Sequence, residues 1–269
     1  MQTEFVIGSR GALFTLMFPS SGEAKGHILF CPGFGEEMNR SRHVVANQAR
    51  RFADHGYNCL LVDHFGTGDS QGELSEASWS TWCADIAVIY KWLQEKYGEL
   101  ETVLWGMRLG CLLAANVVSA DSSISNKLLF WQPVTDGNKY ITQMLRQRIA
   151  HLVERGLPKQ STQQMREALY GGDSIEIGGY QVSGQFAMEL ESQKMGDSVH
   201  FSNCEVYWLQ QENVSGAALP IASKKIVDAL GGIGNNVSVI TFNSAPIWQL
   251  HERVVVEDLH AKTSALELL

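Results

Sequence analysis

The chain has 269 residues, a hydrophobic fraction of 45%, a charged fraction of 19% and a formal net charge of −8 at pH 7. That length makes one or two domains, and a doubly wound α/β domain can use all of it. The acidic balance argues against a general nucleic-acid binder, because no cluster of Lys and Arg stands ready to neutralise phosphates.

The five cysteines are Cys31, Cys59, Cys83, Cys111 and Cys204. They are scattered and show no C-x-x-C or Cys/His ligand spacing, so they read as buried reduced thiols and not as a disulfide frame. No metal and no cofactor is expected. The first residues lack a basic region followed by an apolar core, so no signal peptide is read and the cytoplasm is the expected location. No apolar run approaches the ~20 residues that span a bilayer.

Thr3 to Ile7 and Ala12 to Phe18 read as two strands joined by Gly8-Ser9-Arg10-Gly11, a hairpin signal. His27 to Cys31 is a short apolar run that ends at Pro32-Gly33-Phe34-Gly35. A helix is predicted from about Arg40 to His55, with Val44, Val45, Ala49 and Phe52 on one side and Gly56 as its stop. Tyr57 to Val62 is a continuous apolar strand, suited to a sheet covered on both faces. The glycine-rich loop Asp63 to Ser70 follows, then a helix from Ser78 to Tyr97. In that helix Trp79 and Trp82 read as core residues. The loop lacks G-x-G-x-x-G and a P-loop lysine, so it reads as a structural turn.

Thr102 to Trp105 is the next strand and Leu109 to Val118 the next helix, with Gly106-Met107-Arg108-Leu109-Gly110 between them. This is the frame G-x-S-x-G of a nucleophile elbow, in which a sharp turn lifts one side chain above a parallel sheet. The central residue here is arginine. A guanidinium stays protonated and has no lone pair with which to attack a carbonyl.

Lys127 to Trp131 is another strand, ending at Gln132 to Gly137. Residues 138–200 differ in character. They are rich in Gln, Arg and Ser, show no strong strand, and predict helices at Tyr140 to Glu154, Thr162 to Leu169 and around Gln185 to Leu190. They read as a lid inserted into a core made of residues 1–137 and 201–269. Beyond it, strands at Glu205 to Leu209 and Asn236 to Phe242 flank a helix near Ala222 to Leu230, and a last helix is predicted from about Glu252 to Leu268. Strands alternating with helices give a mostly parallel sheet of about eight strands, covered by helices on both faces.

Three motifs in this order resemble the α/β-hydrolase superfamily. Cys31 to Gly35 looks like its oxyanion loop, Asp63 to Ser70 like its D-x-x-G-x-G-x-S loop, and Gly106 to Gly110 holds the elbow position. A narrower likeness is to the exosortase A system-associated hydrolases of the second type, bacterial proteins tied to surface-protein sorting and exopolysaccharide production. It is carried by Leu104 to Gly110, by Glu176 to Ser183, and by Pro246-Ile247-Trp248. That group is named for its fold, and a fold does not establish an activity.

The resemblance implies an ester or acyl hydrolase with a nucleophile, a base and an orienting acid. Arg108 stands at the nucleophile position. His251 is the candidate base in the loop after the last strand; Glu212, or alternatively Asp136, is the candidate acid. Gly33, Phe34 and Leu109 are the candidate oxyanion and ligand-binding positions. Each of these polar residues also has a plain structural reading, as a helix cap or a loop side chain. The alternative function is a catalytically silent hydrolase fold that binds an anionic small molecule or a partner protein.

Arg108 also poses a physical problem. A cation at a helix N-terminus is disfavoured by about 0.3–1 kcal/mol. Either a carboxylate meets it, with Glu36, Glu37, Asp136 and Glu212 as candidates, or it receives an anionic ligand together with the backbone N–H groups of Phe34 and Leu109; the plainer alternative is that Arg108 plugs a dead site.

Overall fold

The computed structural model describes residues 1–212, 218–250, 252 and 254–269. Among them the apolar runs form the strands β1 (Gln2–Ile7), β2 (Ala12–Phe18), β3 (Gly26–Cys31), β4 (Tyr57–Val62), β5 (Thr102–Met107), β6 (Lys127–Trp131), β9 (Glu205–Gln211) and β10 (Asn236–Phe242). They pair into one eight-stranded sheet in the order β1-β2-β4-β3-β5-β6-β9-β10. β1 and β2 form the antiparallel hairpin, and β2 runs antiparallel to β4. The other pairings are parallel. Every residue of β3 and of β5 is buried, as expected for central strands covered on both faces.

Two hydrophobic cores lie on the two faces of the sheet. On one face α2 (Trp79–Tyr97) packs against α3 (Leu109–Ala120), and Trp82, Ile86, Ile89, Leu112 and Leu113 are buried there. On the other, α1 (Glu36–Asp54) packs against α8 (Glu257–Ser264), burying Val45, Phe52, Trp105, Trp131 and Leu259. α7 (Ile221–Gly232) lies along β10. Trp79 and Trp82 are core residues, at 3% and 1% exposure. No helix among the described residues is long and apolar enough to cross a membrane.

Between β6 and β9 the chain leaves the sheet. It forms α4 (Gly137–Glu154), α5 (Thr162–Tyr170), the hairpin β7 (Ser174–Ile177) and β8 (Tyr180–Ser183), and α6 (Gly184–Glu191). α4 packs on α5, α6 and β7, and α6 rests on α2. Phe186 of α6 sits against Phe34, Trp79 and Trp82, which fastens this segment to the core.

Three expectations need correction. The segment 138–200 does contain strands: Ile175, Ile177 and Val182 alternate inward around a Gly178-Gly179 turn, where both glycines have positive φ. The first helix starts at Glu36, directly after the Pro32 to Gly35 turn, and not near Arg40. The last helix covers only Glu257–Ser264, because Val254 to Val256 run outside it as β-branched residues that favour extended backbone.

Candidate functional site

The elbow exists because small residues stand behind it. A Cβ added to Gly106 would lie 2.5 Å from the Cys111 Cα, and one added to Gly110 would lie 1.9 Å from the Cys31 carbonyl oxygen. Only glycine lets β5, α3 and β3 approach this closely. At the apex Arg108 has φ 54° and ψ −117°, a region that side-chain-bearing residues avoid. Gly35, at the start of α1, has nearly the same angles without that cost. The strained turn is pinned on both sides. The Arg108 N–H donates to the Trp131 carbonyl at 3.0 Å, and its own carbonyl accepts from the Val134 N–H at 3.0 Å.

Glu37 is the carboxylate that meets Arg108. Its Oε1 accepts from Arg108 Nε and lies 3.0 Å from both Nε and Nη2. Nη1 donates to the Gln132 carbonyl at 3.3 Å, and the guanidinium carbon lies 5.2 Å from the centre of the Trp248 ring. The Arg108 and Glu37 side chains are only 11% and 17% exposed. The arrangement answers the dipole problem. Glu37 lies in the first turn of α1, where an anion is favoured, and there offsets the cation that α3 disfavours.

The segment between β6 and β9 joins this network through two tyrosines. The Tyr140 hydroxyl of α4 donates to Glu37 Oε2 at 2.9 Å. The Tyr180 hydroxyl of β8 donates to Glu36 Oε1 at 3.0 Å and accepts from Asn39 Nδ2 at 2.6 Å. Burial first, and then the facing Glu37 charge, push the Tyr140 phenol well up from its ordinary range. Tyr180 is pushed up to about 12, by burial first and then by its bond to Glu36. Both phenols therefore stay protonated donors at neutral pH.

A cavity of about 210 Å³ opens between these elements. Phe34, Trp248 and Tyr140 are its buried aromatic wall; Glu36, Gln143, Gln147 and Gln249 stand at its exposed edge.

The other sequence-predicted residues fall as follows. Asp136 caps α4, accepting from the Lys139 N–H at 3.0 Å. Glu212 follows β9; its N–H donates to the Phe242 carbonyl at 2.8 Å and its carboxylate accepts from the Thr241 hydroxyl. His251 lies outside the described residues. Gly33 packs under the turn, where an added Cβ would stand 3.3 Å from the Met107 methyl. Phe34 lines the cavity, and Leu109 is the first residue of α3. The Cys111 thiol points inward, 3.6 Å from the Trp131 carbonyl, and burial pushes its pKa well up, so it is a packing group and not a nucleophile.

Sequence reasoning missed Tyr140, Gln132 and the stacking role of Trp248. A tyrosine at the start of a helix carries no sign of its partner. Gln132 holds a positive φ of 46° that nothing in its residue type announces.

The order of the sheet, the strand-turn-helix after β5 and the glycine turn after β3 together define an α/β-hydrolase fold. The family model described as "Serine aminopeptidase, S33" (Hydrolase_4) matches residues 22–174, and the chain belongs to that family. Among curated proteins it is similar to lysophosphatidylserine lipase ABHD12 of Danio rerio, with 33% identity over 63 residues, 23% of this chain and 16% of that protein. It is also similar to human protein ABHD12B, with 36% identity over 89 residues, 33% of this chain and 23% of that protein. The matched stretch thus spans less than a quarter of either relative's length.

Among solved structures, Est1E of Butyrivibrio proteoclasticus with bound ferulic acid superposes with a TM-score of 0.71 at 16% identity, covering 97% of this chain and 96% of that one. DcsB in complex with a substrate analogue gives a TM-score of 0.63 at 16% identity, covering 97% of both chains. At these identities the likeness shows the fold.

Proposed function

We propose that this chain binds a small molecule beneath residues 138–200 and does not hydrolyse it. The observation that supports this reading is the clamped guanidinium at the apex of the elbow. Acyl transfer on this fold needs an attacking group there, with an imidazole to take its proton. Arg108 has no lone pair to offer, and Glu37, Gln132 and Trp248 hold it in place. In this reading residues 1–137 and 201–269 are the core and 138–200 the lid. The turn that carries the nucleophile in active members has become the lid's anchor, through Glu37 and Tyr140.

The test is turnover of short-chain p-nitrophenyl esters, together with labelling by a fluorophosphonate that reacts with activated serines. No saturable turnover and no label are expected. Turnover that disappears in His251→Ala or Glu212→Gln would overturn the proposal. It would restore an ester hydrolase with His251 as base and Glu212, or Asp136, as acid, and with the N–H groups of Phe34 and Leu109 as its oxyanion donors.

The likeness to the exosortase-associated hydrolases belongs to the same proposal, with a bacterial and cytoplasmic setting. It rests on the segments 104–110, 176–183 and 246–248. A coding gene remote from any exosortase gene would remove it.

A further inference from the structure

The class of ligand follows from the lining of the cavity, provided that the cavity binds rather than reacts, as proposed above. We infer that it takes a neutral ring bearing several hydroxyls: a cyclic polyol or a monosaccharide.

Charge decides the first part. Among the described residues, four formal charges line the cavity or lie directly behind it, and they pair off. Glu37 meets Arg108 at 3.0 Å, and Glu36 Oε2 lies 3.7 Å from Arg40 Nε. Arg40 also donates to the Gln249 carbonyl at 2.9 Å. A charged ligand would compete with these partners, weakly at the half-exposed Glu36–Arg40 pair and strongly at the largely buried Glu37–Arg108 pair. An anion seeking Arg108 would displace Glu37, which leaves a largely buried carboxylate without its cation, a costly exchange. A neutral ligand leaves both pairs intact.

Shape and polarity decide the second part. The inner wall is aromatic, with Phe34 and Trp248 each 5% exposed. Such a wall receives the apolar face of a ring. The outer edge carries amides: Gln143 and Gln147, one turn apart on α4, and Gln249 from the chain after β10. An amide both donates and accepts, and so does a hydroxyl, so this edge complements hydroxyls whichever way they point. The volume of about 210 Å³ sets the size. A cavity of ~150 Å³ already holds benzene, and pockets for drug-sized ligands begin at ~300 Å³. One six-membered ring with its substituents fits between these limits.

The experiment is saturation-transfer NMR on the full chain, with myo-inositol, glucose, galactose and N-acetylglucosamine as neutral probes. Acetate, inorganic phosphate, ferulate and choline are the charged ones. At least one neutral probe should bind in the millimolar range, and the charged probes should give no transfer. The double variant Gln143→Ala/Gln147→Ala changes two exposed helix positions to a strong helix former, so folding is retained. It should weaken the neutral probe by roughly threefold to tenfold for each amide lost.

Tighter binding of any charged probe, no binding of any neutral probe at millimolar concentration, or neutral binding untouched by the double variant would each overturn the inference. Ester turnover is read in a separate assay without these probes. Hydrolysis there would sink the proposed function, whereas a wrong ligand class in the NMR experiment would leave it standing.

Discussion

The β5–α3 elbow and the α7–β10 stretch each set a helix against a strand of the same sheet, yet they are built to different tolerances. All six residues of β5 are buried, and α3 buries nine of its twelve, including every one from Leu109 to Ala115. In α7 the only buried residue is Leu230, and in β10 it is Phe242. The elbow keeps its strained dihedrals although its apex side chain is an arginine. The contrast separates two requirements. The shape of the turn is set by the glycines behind it and by the buried strands on either side. The identity of the apex side chain sets only the chemistry, and that side chain can change without the turn dissolving. α7 and β10, beside which the resemblance puts acid and base, lack such packing constraint, and Glu212 is held by a local bond from Thr241.

Glycine substitutions should expose this contrast most strongly. Gly110→Ala places a methyl group 1.9 Å from the Cys31 carbonyl oxygen, which is backbone of a central strand and has no room to yield. The expected loss exceeds about 4 kcal/mol, or the chain fails to fold. Gly232→Ala, at the end of α7, meets nothing within 4 Å. It should be neutral or stabilising, within about 1 kcal/mol. Urea denaturation of both variants checks the pair. Similar midpoints for the two would mean that the elbow is not the rigid part of the molecule.

Much of this architecture was legible in the sequence for a physical reason. Central parallel strands are continuous apolar runs, and the long helices repeat their apolar residues at three and four, so both stand out against their flanks. The elbow was legible because its glycines are obligatory at fixed spacing. What stayed hidden depends on groups distant in sequence. Four carboxylates could have met Arg108. The one that does, Glu37, is 71 residues away and is selected by α1 starting immediately after the Gly35 turn. The β7–β8 hairpin was hidden because four-residue strands give too few alternations to distinguish from loop. Its Ile175, Ile177 and Val182 nonetheless point inward.

Acid should unfold the molecule through histidines that folding keeps neutral, and more through one region than the other. His64, stacked on Trp82, is fully enclosed, and neither ring nitrogen has a hydrogen-bond partner among the described residues. Burial lowers its pKa from 6.5 to about 3. His260 of α8 is lowered to about 4, by burial first and then by Arg51, and its Nδ1 faces Gln48 Oε1 at 2.9 Å. His27 is lowered as well, through burial. The sign follows from proton uptake. The unfolded chain takes up these protons near pH 6.5, whereas the folded chain resists. Stability is therefore whole above pH 6.5 and declines as pH falls towards the folded values. His64→Leu should flatten the decline of the urea midpoint over a wider span, from pH 6.5 to about 3, than His260→Leu, whose effect ends near pH 4. Flattening by His260→Leu over the wider span would place the acid-sensitive point at the C-terminal helix instead.

Two ion pairs allow the finest comparison, because their lengths are alike and their surroundings are not. Arg108–Glu37 spans 3.0 Å at the elbow, and Arg51–Glu257 spans 2.8 Å between α1 and α8. The first pair is 11% and 17% exposed, the second 35% and 64%. Water and salt screen the second, whose loss in Glu257→Ala should cost at most about 1 kcal/mol. Glu37→Ala strands a guanidinium under Trp248 and deprives Tyr140 of its acceptor, and should cost about 3 kcal/mol. Adding Arg108→Ala to Glu37→Ala should recover part of that loss, because no unpaired charge is then left at the apex. The bond lengths alone rank the two pairs in the opposite order. A denaturant double-mutant cycle therefore tests whether burial, and not distance, gives the elbow pair its strength.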